Sequence, residues 1–350
     1  MDKTTFRILD VLSRDLNSPT SIYQLTNRIK KTHGTAYYKN IYDKIQDLKK
    51  QGILNLSEIG KASIITLNFS NYRLTDTLAE MELMKKQEFL KTRMEIQTIF
   101  IEIDKEFRGA FPSIESIAII DPENNFKLNR MEFLFLLANF DEEQTIWSIH
   151  SIMQRLESRH NIKIDYLTMT EKEFLNSLES EESNPLKEMI SSKIAFFSPQ
   201  DFWIWIKTAL IKGIRIETKK ETNPAKIMNQ DLIYNLNRFG YKEMGLKIKS
   251  GKKICIEYII TSVLLQGGAR RIDAIPALLL KNKVNYSLLI FLCKKYKKAG
   301  KLLGLLRILK KIRKSKEIEN AIRILETMKT REIKANEKSI LEKMRLYDAI

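Results

Sequence analysis

Proline and glycine are scarce in this chain, at 7 and 12 of 350 residues, and cysteine is scarcer still, with Cys255 and Cys293 alone. So few prolines and glycines argue against a disordered or fibrous chain and leave long stretches free to be helical. Both cysteines lie in apolar runs, with no CxxC pair and no neighbouring histidine, so neither a disulfide framework nor a cysteine-based metal site is expected. They read as buried thiols. The three histidines, His33, His150 and His160, stand far apart and outside any nucleophile or metal signature, so each reads as a surface or core residue. Long apolar runs are missing too. The longest, near 133–140 and 287–293, are too short to span a bilayer, and MDKTTF opens without a basic segment followed by an apolar core. No P-loop is present: Gly267-Gly268 precedes Ala269-Arg270-Arg271 without the strand, lysine and hydroxyl residue that a phosphate cradle requires, and reads as a helix break. The expectation is a protein of the reducing cytoplasm with no membrane, no metal and no cofactor.

Charge is abundant and uneven. The net charge is +17, from 60 basic and 43 acidic side chains. Residues 1–90 hold 14 basic against 10 acidic side chains, residues 91–210 hold 13 against 20, and residues 211–350 hold 33 against 13. An acidic middle between basic ends predicts separate domains, as the chain length also does. A polyanionic partner suits the ends, and nucleic acid fits better than a membrane. The alternative is that excess lysine only keeps the protein soluble.

The chain is organised around residues 19–69. Ser21 offers an N-cap oxygen, and Ile22, Leu25 and Ile29 recur at helical spacing up to Gly34. A second helical run from Thr35 buries Ile41, Ile45 and Leu48 and carries Lys39, Asn40 and Lys44 on the other face, before Gly52 stops it. Ile53, Leu54, Leu56 and Ile59 then lead into a Gly60-Lys61 turn, and Ile64, Ile65, Leu67 and Phe69 return as a second strand. A leading helix over 4–16 places Phe6, Ile8, Leu9 and Leu12 inside.

Over residues 3–73 this order resembles a winged helix-turn-helix, a family of DNA-binding domains. The resemblance implies that the second helix enters the major groove while the first helices and the wing touch phosphate. By position, Thr35, Tyr37, Lys39, Asn40 and Lys44 would face the groove, with Lys61 and Ser63 at the wing tip. Docking of a protein or dimerisation is the other use of such a domain. Beyond the wing, 72–107 contains neither proline nor glycine, and Leu74, Leu78, Met81, Leu90, Met94 and Phe107 predict one long connecting helix, packed or forming the seam of a homodimer.

From Ile114 the pattern alternates. Strands are expected at 117–120, 131–138, 162–167 and 194–197, with helices at 142–159, at 171–178 and from Asn184-Pro185-Leu186. The order, with IKIDYLTMTEKEF and NPLKEMISSKIAFF, resembles a minimal nucleotidyltransferase over residues 114–207. That family holds a triphosphate on a Gly-Ser turn and clamps two Mg²⁺ ions between carboxylates. Here Ile120-Asp121-Pro122 replaces the Gly-Ser turn and Arg130-Met131-Glu132 replaces the paired aspartates, so only Glu132 and Asp165 remain as vestigial positions. A cation at Arg130 would repel the metal, and a non-catalytic relative is expected. Trp203 and Trp205 read as core packing rather than base stacking.

The last third is helical, with a lysine-rich face. Between Cys293 and Arg331, 14 basic residues stand against three acidic ones, and Lys294, Lys295, Lys297, Lys298, Lys301, Lys310, Lys311, Arg313 and Lys314 are candidate phosphate-backbone contacts. A solvated helix face is the alternative. Residues 317–350 read as one final charged helix.

The expected fold class is α+β and mostly helical: a winged helix-turn-helix (1–73), a connecting helix (74–112), a degenerate nucleotidyltransferase-like α/β sandwich (113–222) and an all-α basic domain (223–350). The expected function is transcription regulation through duplex DNA, the middle domain sensing or assembling. Two alternatives stand beside it: an active nucleotidyltransferase acting on RNA or protein, and an RNA- or ribosome-associated binding protein.

Overall fold

The computed structural model describes residues 1–16, 19–59, 62–108, 113–138, 142–214, 216, 222–241, 248–347 and 349. In chain order the elements are α1 (Lys3–Ser13), β1 (Thr20–Ser21), α2 (Ile22–His33), α3 (Tyr38–Lys50), β2 (Leu54–Ile59), β3 (Ala62–Leu67), α4 (Arg73–Leu90) and α5 (Met94–Arg108). There follow β4 (Ile114–Ile120), α6 (Pro122–Lys127), β5 (Arg130–Leu137), α7 (Glu142–His160), β6 (Lys163–Thr170), α8 (Glu171–Glu179), α9 (Pro185–Met189), β7 (Lys193–Phe197) and α10 (Pro199–Ile211). After a 3-10 turn at Pro224–Lys226 come α11 (Asn229–Arg238), α12 (Ile256–Gln266), α13 (Ala269–Ile272), α14 (Ile275–Lys281), α15 (Tyr286–Lys295), α16 (Ala299–Ile312), α17 (Lys316–Thr327) and α18 (Glu337–Leu346). The protein is α+β and mostly helical, with two small sheets. Among the described residues no helix is long and apolar enough to cross a membrane.

The chain forms two compact units, one of Met1–Glu142, Met169–Glu179 and Leu186–Lys220, the other of Glu143–Thr168, Ser180–Pro185 and Glu221–Ile350. In the first unit, α1, α2 and α3 pack together over Phe6, Ile8, Leu9, Leu25, Ile29, Ile41, Ile45 and Leu48, all buried. Ser21 caps α2 reciprocally: its hydroxyl accepts from the Gln24 amide at 3.2 Å, and its own amide donates to the Gln24 side chain at 3.0 Å, satisfying two donors that a helix start leaves open. Gly52 ends the turn after α3 at φ +72°, a left-handed conformation that costs other residues strain. The chain then enters the hairpin, where β3 lies between β1 and β2, antiparallel to both, with Leu54 opposite Leu67 and Thr20 opposite Ile65. The Gly60-Lys61 turn lies outside the described residues.

The stretch expected as one connecting helix is two, α4 and α5, parted at Lys91–Arg93. No proline or glycine marks the break. Arg93 holds it: its guanidinium donates to the Phe89 carbonyl at 2.6 Å, pairs with Glu123 at 2.6 Å and lies 4.4 Å over the Phe89 ring. The break lets Phe100 and Phe107 turn onto the second sheet, with ring centroids 4.4 Å from Phe196 and 5.5 Å from Phe135. Leu74, Leu78, Met81 and Phe107, part of the stripe read as a dimer seam, are buried. In that sheet β4 pairs antiparallel with both β5 and β7, and nearly every residue of the three strands is buried. Such continuous apolar strands mark a sheet covered on both faces. Trp203 and Trp205 are buried, and the Trp205 indole donates to Glu115 at 2.5 Å.

In the second unit, α12, α15, α16 and α17 pack through Ile259, Val263, Leu289, Leu306 and Leu325. Cys255 and Cys293 are buried free thiols, and burial drives the Cys293 thiol up to about 12. The final charged helix is two helices, α17 and α18, and the chain between them lies along α16. Its Ile333 amide donates to the Gly300 carbonyl at 3.0 Å. His150 is buried against the Tyr166 hydroxyl. Burial, with the nearby Lys294 charge, lowers it from 6.5 to about 4. The native state therefore resists protonating His150, while the unfolded chain takes the proton first as pH falls. Stability present above pH 6.5 should be lost between about 6.5 and 4, by roughly 3 kcal/mol at about 1.4 kcal/mol per unit. Urea unfolding at pH 7 and 4.5 measures this, and His150→Phe should flatten the difference.

Candidate nucleic-acid interface

The helix α3 has one apolar seam and an otherwise open surface. Ile41, Ile45 and Leu48 face inward and are buried. Thr35, Tyr37, Lys39 and Asn40 are exposed, and the Thr35 carbonyl accepts from Arg7 at 2.9 Å. Lys44 is only half-buried on the same helix, and its ammonium sits 3.1 Å from the Asp2 carboxylate. Asp2 is thus used twice, because it also accepts from the Thr4 and Thr5 amides at the start of α1. Partial burial works against that charge, but the Thr5 hydrogen bonds and Lys44 hold its carboxyl at about 2. Ser63 is half-buried in β3, and Lys61 lies outside the described residues.

Sequence reasoning missed four residues of this surface. Tyr38 and Tyr42 are exposed and stacked on each other, ring centroids 6.2 Å apart at 26°. Asp43 and Asp47 are exposed as well, so the outward face of α3 mixes acids with Lys39 and Lys50. The spacing of four between the tyrosines was the signal that could have found them, since side chains at that spacing meet on a helix surface.

Behind the three helices lies a buried charge cluster that the sequence did not reveal. Asp10 of α1 accepts from Arg14 at 2.7 Å and lies 3.1 Å from the His33 ring nitrogen and 3.6 Å from Lys85 of α4. Burial alone would raise its carboxyl, but His33, Lys85 and Arg14 together hold it well below the usual carboxylate range. Lys85 also reaches Glu82 at 3.4 Å and donates to the Lys193 carbonyl at 2.6 Å. Glu82, fully buried, accepts from the Lys193 ammonium at 2.8 Å and from the Ala195 amide at 3.0 Å. The Lys193 ammonium rests 4.3 Å and 4.6 Å from the ring centroids of Trp203 and Phe202. Its burial outweighs the attraction of Glu82 and lowers it to about 8. Ionic links thus run from α1 through α4 to β7, with His33 of α2 in contact with Asp10 at one end.

Glu132 and Asp165 are each met by a cation within their own unit. Arg130 pairs with Glu132 at 2.6 Å in the first. In the second, Lys163 stands 3.1 Å and Lys294 4.0 Å from Asp165. A divalent ion at either carboxylate would have to displace these side chains and face their repulsion.

The basic face of the second unit is partly committed to its own fold. Lys294 donates to the Ile164 carbonyl at 2.7 Å and lies over the Tyr166 ring. Lys310 pairs with Glu319 at 3.4 Å and Lys311 with Glu337 at 2.7 Å. Lys295 lies over the Phe291 ring. Lys297, Arg313 and Lys314 are exposed, and Lys298 and Lys301 are half-buried. Comparison with protein-family models, with curated proteins and with solved structures finds no match to this chain.

Proposed function

We propose that this chain is a DNA-binding transcriptional regulator: a winged helix-turn-helix joined to a nucleotidyltransferase-like domain without catalysis and to a basic helical domain. In this reading residues 1–73 bind DNA, 74–112 connect, 113–222 sense or assemble, and 223–350 add phosphate contacts. The observation that carries it is the build of α3. Its apolar seam is buried, while Thr35, Tyr37, Lys39 and Asn40 stand exposed at its leading end and a two-stranded hairpin follows. A helix fits the major groove, about 12 Å wide, with flanking elements on phosphate. The ion pairs at Glu132 and Asp165 support the loss of catalysis, because two-metal chemistry needs those oxygens for the ions.

The test is a titration of the whole protein against duplex DNA and folded RNA over a range of salt. Two variants accompany it, Lys39→Ala/Asn40→Ala on α3 and Lys297→Ala/Lys301→Ala/Lys314→Ala on the basic face. Duplex DNA should bind more tightly than RNA at equal salt, and the α3 variant should lose affinity by tenfold or more. Each phosphate contact removed from the basic face should flatten the salt slope by about 0.9. Tighter RNA binding, or loss only with the basic-face variant, would overturn the regulator in favour of an RNA-binding protein.

A further inference from the structure

One flank of α3 is dressed for bases rather than for phosphate. Tyr38 and Tyr42 lie one turn apart, 50% and 42% exposed, and Lys49 follows on the same flank two turns on. Tyr37, just before the helix, is 71% exposed. Large rings left in water this way are a standing cost that a ligand can relieve. The two rings already stack at 26°, so little side-chain freedom remains to be lost when a third planar group adds to them. The adjoining outward face is a poor phosphate track, because Asp43 and Asp47 offset Lys39 and Lys50 and Asp2 holds Lys44. A continuous duplex shows phosphate and base edges and hides its base faces. An unpaired strand offers the faces, which stack on aromatic rings whatever the sequence, with a cation beside them for the backbone.

We infer that the Tyr38–Tyr42–Lys49 flank binds unpaired bases, so that the preferred ligand is DNA with a locally open or single-stranded segment. The inference rests on the reading of α3 as the DNA-binding helix and names the state of the DNA it takes.

Fluorescence anisotropy at one salt concentration tests it. The probes are a fully paired duplex, the same duplex with a central mismatched bubble, and the single strand. The proteins are the full chain, Tyr38→Ala/Tyr42→Ala, and Tyr38→Phe/Tyr42→Phe. The wild-type chain should hold the bubble at least tenfold more tightly than the duplex. The alanine variant should lose bubble binding by roughly 10- to 100-fold, the range of stacking on one or two bases, with duplex binding changed less than threefold. The phenylalanine variant should keep the preference, since stacking needs the ring and not the hydroxyl. Equal binding of bubble and duplex, or an equal loss on both with the alanine variant, overturns the inference and leaves duplex recognition standing. Absence of binding to all three probes removes the DNA-binding reading and this inference with it.

Discussion

Glu82→Ala should destabilise the first unit by about 3–5 kcal/mol, the range for breaking a buried ion pair by removing one partner. The carboxylate is the acceptor for a buried lysine, for a backbone amide and for a second, less buried lysine. Without it the Lys193 ammonium remains against Phe202 and Trp203, with the ring faces and the Asp10 carboxylate as its remaining attraction, while the Ala195 amide loses the acceptor it has in Glu82. Guanidinium unfolding of the full chain, followed by tryptophan fluorescence, reads the effect because Trp203 adjoins the site. The loss should shrink at high pH. A lysine held at about 8 in the native state and near 10.5 in the unfolded chain penalises folding below pH 8, and the penalty fades as pH rises towards 10.5. Removing Glu82 lowers the native Lys193 value below 8, so the variant's extra loss should fade as pH rises to about 8, above which both proteins gain stability alike. Glu82→Leu/Lys193→Met, which removes both charges, should sit much nearer wild type than Glu82→Ala. A double variant as unstable as the single one would mean that the loss came from packing and not from the stranded charge.

Gly304→Ala should cost the second unit about 3 kcal/mol, the upper end for overpacking, although alanine is the better helix former. A Cβ at Gly304 would press into the Ile333 carbonyl, and one at Gly300 into the Arg331 carbonyl. The obstacle in both cases is backbone, which cannot rotate away as a side-chain tip can. The segment between α17 and α18 would have to lift from α16, breaking the bond from the Ile333 amide to the Gly300 carbonyl. Circular dichroism melting would show the drop. Lys301→Ala, on the same helix but half exposed, should melt within a degree or two of wild type. Unchanged melting of Gly304→Ala would mean that the segment is not held there.

The buried seams were legible in order. Ser21, Gly34 and Gly52 punctuated α2 and α3 as their chemistry dictates, and Ile22, Leu25, Ile29, Ile41, Ile45 and Leu48 are all buried. The strands expected at 117–120, 131–138 and 194–197 from apolar runs with β-branched and aromatic residues fall on β4, β5 and β7, with β4 starting three residues earlier. The break at Lys91–Arg93 was not legible, because Arg93 makes it through Phe89 and Glu123 and not through any local helix breaker. Nor was the split between α17 and α18, which depends on two glycines a turn apart in a different helix. Of the candidate groove residues, Lys44 was legible as polar and helical, but its partner Asp2 lies 42 positions away and no local pattern joins them.

What the sequence by itself determined is the set of elements and their apolar faces, because periodicity, caps and turns act within a few residues. Only the tertiary structure decided which charges find one another. Asp10, Glu82, Lys85 and Lys193 come from three separated elements, and they are held together because each would be too costly to bury alone. It likewise decided which cations remain in water. Lys294, Lys310 and Lys311 read from the sequence as one basic face with Lys297 and Lys314; the fold sets the first three beside carboxylates, but of these only Lys294 is largely covered, while Lys310 and Lys311 stay exposed like Lys297 and Lys314.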